Sequence, residues 1–79
     1  MGLDLGKSYS AKEIKKALED LNFTVLKCEP SSKNFVVQVS GGPNAIGNTG
    51  ISLSLDGKKG MAGGLVGQHG LSGISKSQL

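Results

Sequence analysis

Residues 10–40, SAKEIKKALEDLNFTVLKCEPSSKNFVVQVS, carry the clearest structural information in the sequence, because their local signals agree over three consecutive elements. Ser10 and Glu13 have the spacing of a capping box, in which a hydroxyl and a carboxylate satisfy the first backbone N–H groups of a helix. A helix is therefore predicted to begin at Ala11. Asn22 is a suitable end, because Asn tolerates the left-handed conformation that terminates helices. Between them, apolar residues recur at i, i+3, i+4 and i+7, which predicts one buried face: Ile14, Ala17, Leu18 and Leu21.

Two runs rich in β-forming residues follow the helix, over residues 23–28 and 35–39. Residues 30–33, Pro-Ser-Ser-Lys, form turns readily, so the two runs are predicted to pair as a hairpin. In a strand, alternate side chains share a face. Three apolar side chains of the second run therefore form the face that we expect to cover the helix: Phe35, Val37 and Val39.

The composition changes after Ser40. Of the 13 glycines, all but Gly2 and Gly6 lie between residues 41 and 73. Residues 41–50 are predicted to be a surface loop, because Gly-Gly-Pro-Asn and Gly-Asn-Thr-Gly are turn signals. Residues 51–55 alternate apolar residues with serine, which predicts a third, half-buried strand.

The Asp56-Gly57 dipeptide follows this third strand and favours a type I′ hairpin turn. The return strand would run through residues 58–62, although Gly60 weakens a strand. We therefore expect an α+β fold: one N-terminal amphipathic helix packed on a small antiparallel sheet of three or four strands, with a glycine-rich C-terminal arm. Residues 1–59 would form the domain and residues 60–79 the arm.

The arm is predicted to gain its order from another protein chain. Glycine loses more conformational freedom on folding than other residues, and a small chain offers little contact area to offset that loss. Four apolar side chains on the arm would contact the neighbouring chain: Leu65, Val66, Leu71 and Ile74.

Length and composition favour the same interpretation. At 79 residues, with 37% hydrophobic and 4% aromatic residues, the chain can build only a small hydrophobic core. Contacts with another chain would therefore add to its stability. The net charge of +3 permits an acidic partner. An alternative function is therefore a small basic RNA- or DNA-binding regulator that contacts phosphate through Lys12, Lys16, Lys58 and Lys59. Nucleic acid is the less favoured partner, because all nine basic residues are lysine and the bidentate fork of arginine is missing.

The sequence contains no recognisable catalytic or metal-binding motif. Cys28 is the single cysteine and His69 the single histidine, so neither a disulfide within the chain nor a metal ligand set is expected. No apolar run approaches the length of a membrane span, and Asp4 lies where a signal peptide would be basic and apolar. We expect no enzyme activity, no cofactor, no small-molecule substrate and no membrane contact, and a location in the cytoplasm or in a virus particle.

The segment KEIKKALE, residues 12–19, resembles the first helix of HicA-type RNA-cleaving toxins, which share the order of helix, hairpin strands and short tail. That resemblance implies a similar architecture without the activity. The family places its catalytic histidine in a Gly-Ser-His-His turn, and residues 31–34 of this chain are Ser-Ser-Lys-Asn. The function expected from the sequence is a non-catalytic structural protein that completes a larger assembly, such as a small virion component, by binding other protein chains, self or hetero.

Overall fold

A computed structural model of the chain describes residues 3–42 and 46–66, and within them it confirms the α+β class. One α-helix accompanies six strands and a short 3₁₀ helix in this part of the chain. The strands form two antiparallel sheets of three strands each, where the sequence predicted one sheet. The elements are β1 (Ser8–Tyr9), α1 (Ala11–Asp20), β2 (Phe23–Pro30), β3 (Phe35–Gly41), β4 (Ile46–Leu53), β5 (Leu55–Asp56), β6 (Lys59–Met61) and the 3₁₀ helix (Ala62–Leu65).

The helix begins and ends where its signals predict. The Glu13 backbone N–H donates to Ser10 Oγ at 3.4 Å, and the Ser10 backbone N–H donates to Glu13 Oε1 at 3.4 Å, so the capping box is complete. Asn22 has a φ of 70° just beyond the helix, the left-handed conformation that reverses the chain into β2. Ile14 and Leu18 are fully buried, and α1 packs against β2.

The main sheet has the order β2-β3-β4, with neighbouring strands antiparallel. The predicted hairpin is confirmed by the β2–β3 pairing, in which Cys28 lies opposite Val37. The predicted inward face of β3 is also confirmed. Its three side chains are at most 1% exposed and join the hydrophobic core, whose buried members are Ile14, Leu18, Phe23, Phe35, Val37, Val39, Leu53 and Leu65.

The second sheet has the order β1-β6-β5, so the predicted fourth strand exists but pairs outside the main sheet. Its β5–β6 hairpin pairs Asp56 with Lys59 around a two-residue loop. The turn differs from the expected type I′. Gly57 has a positive φ of 66° and Lys58 does not, which is the pattern of a type II′ turn. Leu55 belongs to this second sheet, since the chain leaves β4 at Ser54.

Two further expectations are corrected by strand pairing. The predicted loop over residues 41–50 is strand from Ile46 onward, because Thr49 and Gly50 pair with Val39 and Gln38 of β3. The predicted boundary between residues 59 and 60 falls inside β6, which pairs with β1 on one side and β5 on the other.

Residues 60–66 are thus part of the folded domain, whereas the rest of the predicted arm, residues 67–79, lies outside the described residues. No helix within residues 3–42 and 46–66 is long and apolar enough to cross a membrane.

Candidate protein interaction surface

The main sheet has one covered face and one open face. The register places Lys27 opposite Gln38, and Gln38 opposite Gly50, on the face away from α1. On β2, Lys27 Nζ lies 3.5 Å from Glu29 Oε1, with both side chains about half exposed. An exposed ion pair of this kind contributes little to stability, so its main effect is to place charge on the β2 side of the open face.

A shallow hollow of about 230 Å³ lies on the open face and is lined by Leu26, Gln38, Asn48, Thr49 and Gly50. Leu26 is 51% exposed, because the β2–β3 register shifts between Val25 and Lys27 and the extra residue is turned outward. The hollow offers amide and hydroxyl groups beside one aliphatic side chain. These groups suit hydrogen bonding and apolar contact with another polypeptide.

Hydrogen-bonded and non-hydrogen-bonded residue pairs alternate along the main sheet. The first pair of the β2–β3 hairpin shows which pairs are the hydrogen-bonded ones. The Ser31 N–H donates to the Asn34 carbonyl at 2.7 Å, so this pair next to the loop is hydrogen-bonded. Bonded and non-bonded pairs alternate in antiparallel strands. Val36 and Gln38 therefore exchange hydrogen bonds with β2, and Val37 exchanges them with β4.

The same alternation continues across β4. Thr49, Ile51 and Leu53 lie opposite β3 residues whose peptide groups point toward β4. The peptide groups of the two intervening residues, Gly50 and Ser52, therefore point away from the sheet. β4 is the last strand in the sheet order, and no described strand pairs with this outer edge.

The two edges of the main sheet differ in how they resist pairing with another strand. β2 carries Lys27, Glu29, Pro30 and a register shift, all of which discourage strand addition. β4, with the sequence IGNTGISL, has neither a charged residue nor a proline over its eight residues. The register of β4 against β3 also shifts, between Val39 and Gly41, and pairing is regular only from Thr49 onward. We call the outward-facing backbone of Gly50 and Ser52 the β4 edge. Within residues 3–42 and 46–66, β4 is the edge strand of the main sheet that carries neither charge nor proline.

The four residues of the arm that were predicted to contact a partner differ in their surroundings. Leu65 is fully buried in the chain's own core, so its side chain is not accessible to a neighbouring chain. The reason is that the 3₁₀ helix lies against the end of β4, with Gly64 directly beside the Leu53 side chain. Val66 is half-buried, and Leu71 and Ile74 lie outside the described residues.

The four lysines proposed as anion contacts are all exposed and lie in two pairs on separate elements. Lys12 and Lys16 are on α1, where Lys16 Nζ is 3.8 Å from Asp20 Oδ1. Lys58 and Lys59 are at the β5–β6 turn. Part of the positive charge on α1 is therefore offset by an acidic neighbour.

The surroundings of Cys28 change the acidity of its thiol. Burial raises the pKa of its thiol to about 11, and the nearby Lys15 charge offsets part of that rise. The thiol donates to the Ala11 carbonyl at 3.4 Å. Since the thiolate is the nucleophile, this environment lowers the reactivity of Cys28.

No group of three or more His, Cys, Asp or Glu side chains that could hold a metal ion occurs within residues 3–42 and 46–66. His69 lies beyond the described residues. The β4 edge is not predicted from the sequence, because residues 46–50 have the composition of a loop; the uncharged, proline-free run from 44 to 55 is the signal that could have indicated it.

Comparison with known proteins gives no relative for this chain: no family model matches it, and no curated protein or solved structure is significantly similar.

Proposed function

We propose that this protein is a non-catalytic interaction protein that completes a larger assembly of protein chains, for example as a small component of a virus particle. The observation that carries the proposal is the β4 edge. The outward peptide groups of Gly50 and Ser52, on an uncharged, proline-free strand, are suited to strand addition, in which backbone hydrogen bonds supply affinity. The adjoining hollow beside Leu26 would supply side-chain contacts to the same partner.

The glycine-rich segment beyond Val66 is the second element of the proposal. Leu71 and Ile74 are its large apolar residues near the middle, separated by serine and glycine. We assign them to contact with a neighbouring chain, because glycine lets another backbone approach closely while apolar side chains provide buried area. Leu65 has no part in this contact, since it is buried in the domain.

The test is the mass of the full chain by light scattering from about 10 μM to about 1 mM, a range that reports weak and moderate association. We expect the mass to rise with concentration and to change little with salt, because salt screens charges and the contacts proposed are uncharged. A variant with both Leu71→Asp and Ile74→Asp should associate less. The matched control carries Ser72→Asp and Ser75→Asp, which adds the same charge to the same segment.

The alternative function, a regulator that binds RNA or DNA through its lysines, gives the opposite result. Binding to phosphate releases counterions, so the affinity for a labelled RNA or DNA probe would fall steeply as salt rises from about 50 mM to about 200 mM. A chain that stays monomeric at every concentration and binds such a probe with that salt dependence would overturn the proposed function.

A further inference from the structure

We propose that residues 71–75 of this chain, which we call the cover strand, occupy the β4 edge in the unassembled protein, as an added strand antiparallel to β4. The inference rests on the proposed function and adds a control on its main surface. A neighbouring chain can bind the β4 edge only after the cover strand has left it. The released segment is the one assigned above to a neighbouring chain, so exchange of this strand between chains gives both contacts of the assembly.

The described part of the chain ends beside the strand that the cover strand joins. A Cβ on Gly64 would lie 2.8 Å from Leu53 Cδ2 and 3.9 Å from Leu53 Cα, so the 3₁₀ helix reaches the last residue of β4. Val66 follows this helix with an extended backbone, at a φ of −83° and a ψ of 136°. Residues 67–70 can span up to about 13 Å. Neighbouring strands lie only about 4.8 Å apart, so this tether is long enough to reach the outer edge of β4.

Direction and tethering favour this segment over a free strand of similar chemistry. A segment that enters beside Leu53 and follows the edge toward Thr49 runs opposite to β4, which makes the pairing antiparallel. A short tether holds such a segment at an effective concentration in the millimolar range. A free strand that makes the same backbone hydrogen bonds would have to reach that concentration to compete. The chain's own segment is therefore the favoured occupant before assembly.

On the open face, the register that fits best places Ile74 opposite Gly50. A Cβ on Gly50 would meet nothing closer than Gln38 Cγ at 3.5 Å, so there is room for a large side chain across the pair. The hollow lined partly by Leu26 adjoins Gly50 on this face. Ile74 would bury apolar area there, which favours pairing.

On the core face, the same register places Leu71 opposite Leu53. Ile51 is only half-buried on this face, although its partner on β3, Val37, is 0% exposed. The core is thus less completely covered at β4 than at β3. Leu71 would lie diagonal to Ile51 across the pair, a separation that a long side chain bridges.

The first experiment is disulfide formation in the full-length chain, in a Cys28→Ser background. The register places Ser72 opposite Ser52 in a hydrogen-bonded pair, with Cα atoms about 5.5 Å apart, which suits a disulfide. Ser52→Cys with Ser72→Cys should therefore cross-link within one chain on mild oxidation at about 10 μM. The control pairs Ser52→Cys with Ser77→Cys, which the register separates by about 17 Å along the strand, beyond the reach of a disulfide. Its cross-linking should be at least about tenfold slower, since the two thiols meet only when the pairing opens.

The second experiment is amide hydrogen exchange of the full-length chain, at a concentration where light scattering gives the monomer mass. The Gly50 and Ser52 N–H groups point away from the main sheet, so their exchange reports on the cover strand. Both should exchange at least about tenfold faster in a variant with Leu71→Asp and Ile74→Asp. Protection of the Val37 N–H, which bonds to β4, should not change, which shows that the main sheet is intact in the variant.

The matched control for exchange carries Gln68→Asp and Ser77→Asp. It adds the same charge to the same segment but outside the cover strand, so the Gly50 and Ser52 N–H groups should stay protected. Protection lost equally in both variants would overturn the inference.

The remaining outcomes separate this inference from the proposed function. Equal cross-linking of the two cysteine pairs, or cross-links only between chains, would overturn the inference, while association at higher concentration would leave the proposed function standing. A chain that cross-links within itself, protects both N–H groups and stays monomeric up to about 1 mM would support the pairing and overturn the proposed function. Cross-links within the chain at low concentration and between chains at high concentration would support both.

Discussion

Replacing Gly60 with alanine tests whether residues 60–66 belong to the folded domain. Gly60 is buried in the middle of β6, with strands paired on both sides. A Cβ at this position would lie 2.8 Å from Phe35 Cγ, 2.9 Å from Phe35 Cδ1 and 3.1 Å from Ile14 Cδ1. Both neighbouring side chains are 0% exposed, so neither can swing into solvent to make room.

The magnitude follows from two opposing effects. Adding a methyl group to a packed core costs about 1–3 kcal/mol of stability. We expect a cost in the upper half of this range, because the three contacts are shorter than normal carbon–carbon separations of about 3.5–4 Å. Replacing glycine with alanine also reduces the conformational entropy of the unfolded chain, which stabilises the folded state by about 0.4–1 kcal/mol. We expect Gly60→Ala to lower the free energy of unfolding by about 1–2.5 kcal/mol, which corresponds to a fall in Tm of about 5–20 °C for a domain of this size.

The assay is urea unfolding followed by far-UV circular dichroism, since the chain has no tryptophan. The control is Gly47→Ala, because a Cβ on Gly47 would have nothing within 4 Å, and its unfolding midpoint should stay unchanged or rise. In a double-mutant cycle, Phe35→Leu should destabilise the Gly60→Ala chain less than the wild type, since it removes the ring that the methyl group meets. Equal midpoints for Gly60→Ala and Gly47→Ala would refute the packing of β6 on the core.

Four further predictions use the same unfolding assay or a measurement of thiol reactivity. Leu65→Ala should cost about 2–5 kcal/mol of stability, because Leu65 is fully buried, while Val66→Ala should cost clearly less; equal losses would contradict the burial. Asn22→Ala should cost about 1–2 kcal/mol and Asn22→Gly little, because the φ of 70° strains alanine but suits glycine; the reverse order would argue against this turn. Cys28, with a pKa of about 11, should react with iodoacetamide much more slowly than free cysteine at neutral pH, and a rate like that of free cysteine would contradict its burial. Between pH 9.0 and about 11, the Cys28 thiol ionises in the unfolded chain but stays protonated in the folded one. The free energy of unfolding should therefore fall as the pH rises through this range. The fall should be smaller in Cys28→Ser, which lacks the thiol.

Much of the first half of the fold was predictable because its signals are short-range. The Ser10–Glu13 capping box, the left-handed Asn22 and the alternation along β3 depend on residues a few positions apart, and each appears where expected. The β5–β6 hairpin was also predicted from a local signal, Asp56-Gly57, although its turn has the conformation that needs a positive φ at Gly57 alone.

The glycine-rich half was less predictable, because glycine carries little conformational preference of its own. Residues 46–50 form a strand because β3 supplies hydrogen-bonding partners, which outweighs the low strand propensity of Gly47 and Gly50. Likewise, Gly60 suits the core because the Phe35 ring occupies the space of a side chain, and that ring lies far away in sequence.

The helix, the β2–β3 hairpin and the inward face of β3 can be predicted from the sequence alone, because a helix cap and a two-residue alternation are properties of neighbouring residues. The division of the strands into two sheets, the burial of Leu65 in the core and the outward peptide groups of Gly50 and Ser52 follow only from the tertiary structure. Those outcomes depend on which distant segments pair and in which register, and the free energy of such pairing comes from burial and backbone hydrogen bonds that no local pattern specifies.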